Sequence, residues 1–99
     1  MSYKVRWSQD VLAKIKKQKD YINYDSPLAA KKWIASIKAK KDILKENPFI
    51  GRVIPEFNKP NFRELIIGNF RLGYIVEENT VDIVDFKNSK QQYITLDDS

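Results

Sequence analysis

Residues 61–85 read NFRELIIGNFRLGYIVEENTVDIVD, and the fold follows from how this stretch divides. Three apolar runs, Phe62–Ile67, Phe70–Val76 and Val81–Asp85, are rich in β-branched and aromatic residues. Gly68-Asn69 between the first two is the two-residue signal of a primed hairpin turn. Glu77-Glu78-Asn79-Thr80 makes a looser second turn. The stretch is therefore expected to be a three-stranded antiparallel meander. Arg63 and Arg71 stand inside its two most apolar strands. A guanidinium keeps its proton and is costly to bury alone, so each must reach the rim, pair with a carboxylate, or face a surface that handles anions.

Upstream, Tyr3, Val5 and Trp7 alternate with Lys4 and Arg6, the period of a half-buried strand. Ser8 offers an N-cap and Asp10 a negative charge in the first turn of a helix running to about Tyr24. Its apolar stripe is Val11, Leu12, Ile15 and Ile22. Tyr21 and Tyr24, at helical spacing near its end, are expected to pack. Asp25-Ser26-Pro27 breaks that helix and starts a second, with Ser26 as cap and Pro27 at the first helical position. The second helix carries Ala30, Trp33, Ile34, Ile37 and Leu44 on one side and stops at Asn47-Pro48. Trp33, Ile34 and Ile37 are read as core, and Tyr3 and Trp7 as core or the open face of an edge strand. Phe49–Pro60 reads as a connector, and the chain from Phe86 as a polar tail offering Tyr93 and Leu96. The order is strand, two helices, three strands. An α+β domain with an antiparallel helical hairpin on one face of a mainly antiparallel sheet is the economical arrangement. The first strand is expected beside the C-terminal ones.

Ninety-nine residues make one domain, which buries roughly two-thirds of its unfolded surface. There is no cysteine and no histidine, which excludes disulfides and imidazole acid–base chemistry and argues against a zinc site. No cofactor is implied. No apolar stretch nears the roughly 20 residues of a membrane span, so a cytoplasmic protein is expected. Residues 1–45 hold 12 Lys and Arg against 4 Asp and Glu, whereas residues 46–99 hold 6 against 9. The basic first half suits an acidic protein or a nucleic acid; a solvated lysine face on helices is the plainer account.

Leu44, Asn47-Pro48, Gly51-Arg52, Pro55-Glu56, Arg63-Glu64-Leu65 and Gly68-Asn69-Phe70-Arg71-Leu72 with Tyr74, taken in order, resemble the RelE/ParE superfamily of toxins. The resemblance implies the toxic half of a type II toxin–antitoxin module, concerned with growth inhibition and plasmid stabilisation. It also implies a complex with an antitoxin that is acidic where it wraps the toxin. RelE-like members cleave messenger RNA on the ribosome, whereas ParE-like members poison DNA gyrase without established nuclease activity. The long first helix, and Asp85-Phe86-Lys87-Asn88-Ser89-Lys90 where many relatives show a histidine followed by arginines, favour the ParE-like branch. If the chain were RelE-like, Arg63, Arg71, Lys87, Lys90 and Tyr93 would be its candidate catalytic residues. Each has a plainer reading as well. Arg71 would pair with Glu64 across the hairpin, Arg63 would sit at an edge with its head group in water, and the tail would be solvated with Tyr93 packed back. Glu56 and Glu64 are either general bases or structural partners of arginine.

Overall fold

Two serines start the two helices. The side chain of Ser8 accepts from the Val11 N–H at 3.0 Å, and that of Ser26 from the Ala29 N–H at 3.1 Å. In the computed structural model, which describes residues 2–91 and residue 93, they cap α1 (Gln9–Asp25) and α2 (Pro27–Glu46). With Ser26 as the only residue between them, the helices form a hairpin. The strands are β1 (Lys4–Trp7), β2 (Arg52–Val53), β3 (Phe62–Ile67), β4 (Phe70–Val76) and β5 (Thr80–Asn88). They form one sheet in the order β1-β5-β4-β3-β2. β1 runs parallel to β5 and every other pairing is antiparallel. Gly68 closes the β3–β4 hairpin with φ of 58°, the left-handed angle required at the first central position of a type II′ turn.

The helical hairpin covers one face of this sheet. Val11 and Ile15 of α1 and Ile37 and Leu44 of α2 join Leu72, Tyr74, Val76, Val81, Ile83 and Phe86 in one core. Trp33 meets Phe70 and Phe86 edge-on, with centroids 6.0 and 5.9 Å away. Val5, Trp7, Tyr3 and Ile34 pack against the same cluster as half-buried members.

The α+β architecture, with its meander and its first strand beside β5, is the one read from the sequence. Three local expectations are corrected. Tyr21 and Tyr24 do not pack; they are 72% and 91% exposed. Nine residues at about 100° each put Tyr24 on the side of α1 opposite buried Ile15. The Phe49–Pro60 connector contains β2, whose Arg52 and Val53 pair with Glu64 and Arg63 at the sheet edge. β5 runs three residues past its expected end, because β4 begins at Phe70 and pairs Phe70, Arg71 and Leu72 with Asn88, Lys87 and Phe86. Gly73 faces Asp85 and Tyr74 faces Ile83, so Val84 is a bulge. That extra residue lets Ile83 and Phe86, three apart in sequence, both serve the core. Leu96, the other apolar position of the tail, lies outside the described residues.

Candidate functional site

The sheet face away from the helices carries an ion network centred on Arg71. Alternation along β4 sends Leu72 and Tyr74 into the core and Arg71 and Gly73 to the other side. Arg71 is nevertheless buried, with 4% of its surface exposed. Its Nε donates to Glu64 Oε1 at 2.6 Å, and Nη1 and Nη2 donate to the two carboxylate oxygens of Glu56 at 2.9 Å each. Nη1 also donates to the Gln91 carbonyl at 2.8 Å. The pairing with Glu56 is the two-pronged fork that a planar guanidinium favours. Glu64 is shared, since its Oε2 accepts from Arg52 Nε at 2.6 Å. Two arginines and two glutamates therefore cancel one another.

These contacts set the protonation states. Hydrogen bonds from Arg71, opposed by burial and helped by the Tyr93 N–H, hold the Glu56 carboxyl at about 2. The same Glu56 bonds, together with Glu64, raise the Arg71 pKa against the effect of burial. Glu56 also accepts the Tyr93 N–H at 2.9 Å, which ties residue 93 down over the network.

Tyr93 lies across this arrangement. Arg71 stands 4.6 Å and the Lys87 ammonium 4.4 Å from its ring centroid, so the ring is held between two cations. Its hydroxyl abuts Gly73, where a Cβ would collide with it. A glycine inside an apolar strand marks such a close approach. The hydroxyl is buried and has no hydrogen-bond partner among the described residues. Burial pushes its pKa up, with the nearby Glu64 charge adding to the effect. Beside the ring, Ile54, Phe57, Phe62, Ile75 and Val84 line a cleft of about 370 Å³.

The five candidate residues thus separate. Arg71, Lys87 and Tyr93 come together. Lys87 is on β5, not in a tail, and holds Asp85 Oδ2 at 2.9 Å. Lys90 is exposed beyond the end of β5. Arg63 lies opposite Tyr74 on β3 and staples the connector. It donates to the Pro60 carbonyl at 2.6 Å and the Gly51 carbonyl at 3.1 Å, with Phe49 under its guanidinium at 5.1 Å. Gly51 in turn donates to the buried Tyr74 hydroxyl at 2.9 Å. Neither arginine is displayed as a free head group: one is spent on carboxylates and the other on backbone. Glu56 and Glu64 are the structural partners of arginine that one reading allowed. Sequence reasoning passed over Gly73, for which a glycine amid β-formers was the signal available, and it named Arg52 without its pairing to Glu64.

A strand, two helices and then a mixed five-stranded sheet make up the ParE-like toxin fold. The chain belongs to the family described as the ParE toxin of the type II toxin–antitoxin system parDE, whose model matches residues 5–93. Among solved structures, a chain described as "Chromosomal ParDE TA system from P. aeruginosa" aligns with a TM-score of 0.71 at 18% identity. The match covers 90% of this chain and 98% of that one, and at such identity it is a likeness of fold. No curated protein matches the chain. Among the described residues no helix is long and apolar enough to cross a membrane.

Proposed function

We propose that this toxin acts by binding. In this reading it arrests growth from within the cytoplasm by engaging DNA gyrase, and a cognate acidic antitoxin holds it off in a hetero-oligomer. The observation that carries the reading is the closure of the Arg71 network. A nuclease without histidine needs a tyrosine or lysine whose pKa has fallen, or a free cation to meet the phosphate. Here the Tyr93 pKa is raised, chiefly by burial. Arg71 is saturated by Glu56, Glu64 and the Gln91 carbonyl, and Lys87 is paired with Asp85. Gyrase as the target follows from the ParE-like branch, which the long α1 and the missing histidine favour.

One observation favours the second reading, a ribosome-dependent endoribonuclease: Arg71, Lys87 and Tyr93 do converge. Purified protein assayed in parallel on gyrase supercoiling and on translating ribosomes decides between them. Induction in cells should stop growth with a DNA damage response and intact messages. Messages cut at codon boundaries would replace the binding reading with the nuclease, and undisturbed growth would leave a non-toxic relative.

A further inference from the structure

The edge of β5 nearest α1 is only half occupied. β1 accompanies β5 as far as Trp7, opposite Ile83. There the chain leaves the sheet, with the Ser8 N–H bonded to the Ile83 carbonyl at 3.0 Å as α1 begins. β5 continues to Asn88, so on this side residues 84–88 have no neighbouring strand among the described residues. An open edge offers the N–H groups of alternate residues to any strand that comes beside it. On β5 those of Phe86 and Asn88 are taken by side chains instead. Asp85 Oδ1 accepts the first at 2.8 Å and Gln91 Oε1 the second at 3.1 Å.

A groove of about 720 Å³ lies between this edge and α1. Lys14, Lys17 and Gln18 line it from the helix; the stacked Phe70–Phe86 pair, Lys87 and Asn88 line it from the sheet. Among the described residues, three of its lining side chains are lysines and none is a carboxylate. Asp85 engages both Lys14, at 3.2 Å, and Lys87, at 2.9 Å. Lys17 has no ion pair among the described residues.

We propose that this groove receives an extended acidic segment of a partner protein, added as a strand beside Phe86–Asn88 in the row that β1 vacates. Its carboxylates would meet Lys17 and Lys14. The two masked N–H groups are two residues apart, the interval at which the carbonyls on one side of a strand recur. Displacing the Asp85 and Gln91 oxygens exchanges one hydrogen bond for another, and Asp85 keeps its two lysines. The side-chain masks therefore guard the edge against unspecific pairing while yielding to a segment that also supplies charge. The inference deepens the toxin reading and rests on it for the source of the segment, the acidic antitoxin. A phosphate backbone would answer the lysines but not the spacing of the N–H groups.

The test uses the full chain, labelled with ¹⁵N, and a random dodecapeptide library displayed on phage. Selected peptides should be enriched in Asp and Glu and should shift the Phe86 and Asn88 amide resonances. Lys17→Glu, a change at an exposed position, should weaken their binding about fivefold, as reversing one exposed charge pairing implies. Peptides without acidic excess, shifts confined to other residues, or indifference to Lys17→Glu would each overturn the proposal. So would a twelve-nucleotide oligothymidylate that shifts the same amides when acidic peptides do not, since it would give the groove to nucleic acid. None of these readings involves growth or gyrase. Failure here thus leaves the toxin standing, and a chain that spares gyrase can still pass.

Discussion

Tyr93→Phe separates structure from chemistry better than any other single change. The substitution removes one oxygen and leaves the ring between Arg71 and Lys87. That oxygen is buried without a hydrogen-bond partner among the described residues and is crowded against Gly73. A hydroxyl desolvated without compensation costs about 1–3 kcal/mol. Taking the low end of that range, because Phe keeps the ring's packing, we expect a gain of about 1 kcal/mol on its removal. For a domain of this length such a gain raises Tm by about 4–8 °C. Thermal unfolding followed by circular dichroism, with urea titration as a second measure, reads it directly. Growth arrest on induction should persist, because in the binding reading the hydroxyl does nothing. A lower Tm would refute the reasoning by showing that the oxygen makes a bond worth keeping. Loss of toxicity with the fold intact would return Tyr93 to the list of reacting groups.

Gly73→Ala drives a methyl into the Tyr93 hydroxyl and should cost about 1–3 kcal/mol by overpacking; in a urea double-mutant cycle Tyr93→Phe should recover part of that loss. Arg71→Ala takes from Glu56 its cationic partner and leaves Glu64, whose side chain is 0% exposed, with Arg52 alone, and should cost about 3–5 kcal/mol. An inactive Arg71→Ala protein would therefore report on folding before it reported on chemistry, and its urea midpoint must be measured first. Glu56 is held at about 2 against an ordinary 4.5. A lowered carboxyl pKa stabilises in full above about 4.5, and that contribution is lost as pH falls through about 2. It amounts to at most about 3 kcal/mol. Acid unfolding should be shallower in Glu56→Gln than in the native chain, and superimposable curves would contradict the pairing.

The hairpin signal at Gly68-Asn69, the serine caps and the Asn47-Pro48 stop were legible because each is a local backbone requirement that one or two residues satisfy. What the sequence hid was set by distant partners. β2 is two residues long, and only the pairing of Arg52 and Val53 with Glu64 and Arg63 makes it a strand. The polar run Lys87-Asn88 is strand because β4 supplies the other half of the ladder. Tyr21 and Tyr24 looked like packing residues by type, but α1 buries too narrow a stripe to include them. The candidate site was half legible in the same sense. Arg71 faces Ile66 and Glu64 faces Gly73, two residues apart on the same face of the β3–β4 hairpin, so their diagonal contact could be read from the strands. The approach of Glu56 and Tyr93 depends on loop paths, and no period in the sequence encodes a loop path.

Charge placement links the closed network to the open edge. Residues 9–46, the helical hairpin, hold ten lysines and five acidic residues, while the rest of the chain holds eight cationic and eight acidic residues. The whole net charge of +5 therefore belongs to the helices. On the sheet's outer face, Arg52 and Arg71 are balanced by Glu56 and Glu64, and Arg6 by Asp82 at 2.6 Å. A partner drawn by charge is thus steered to the helical side, where fields from unpaired lysines add within a Debye length of about 8–10 Å. Among the described residues, that field meets a strand row without a strand at the groove between α1 and β5. Raising salt should accordingly weaken an acidic partner bound there, and Lys17→Glu should flatten that salt dependence. Substitutions at Arg52 or Arg6, whose charges are already matched, should alter stability while leaving the slope unchanged.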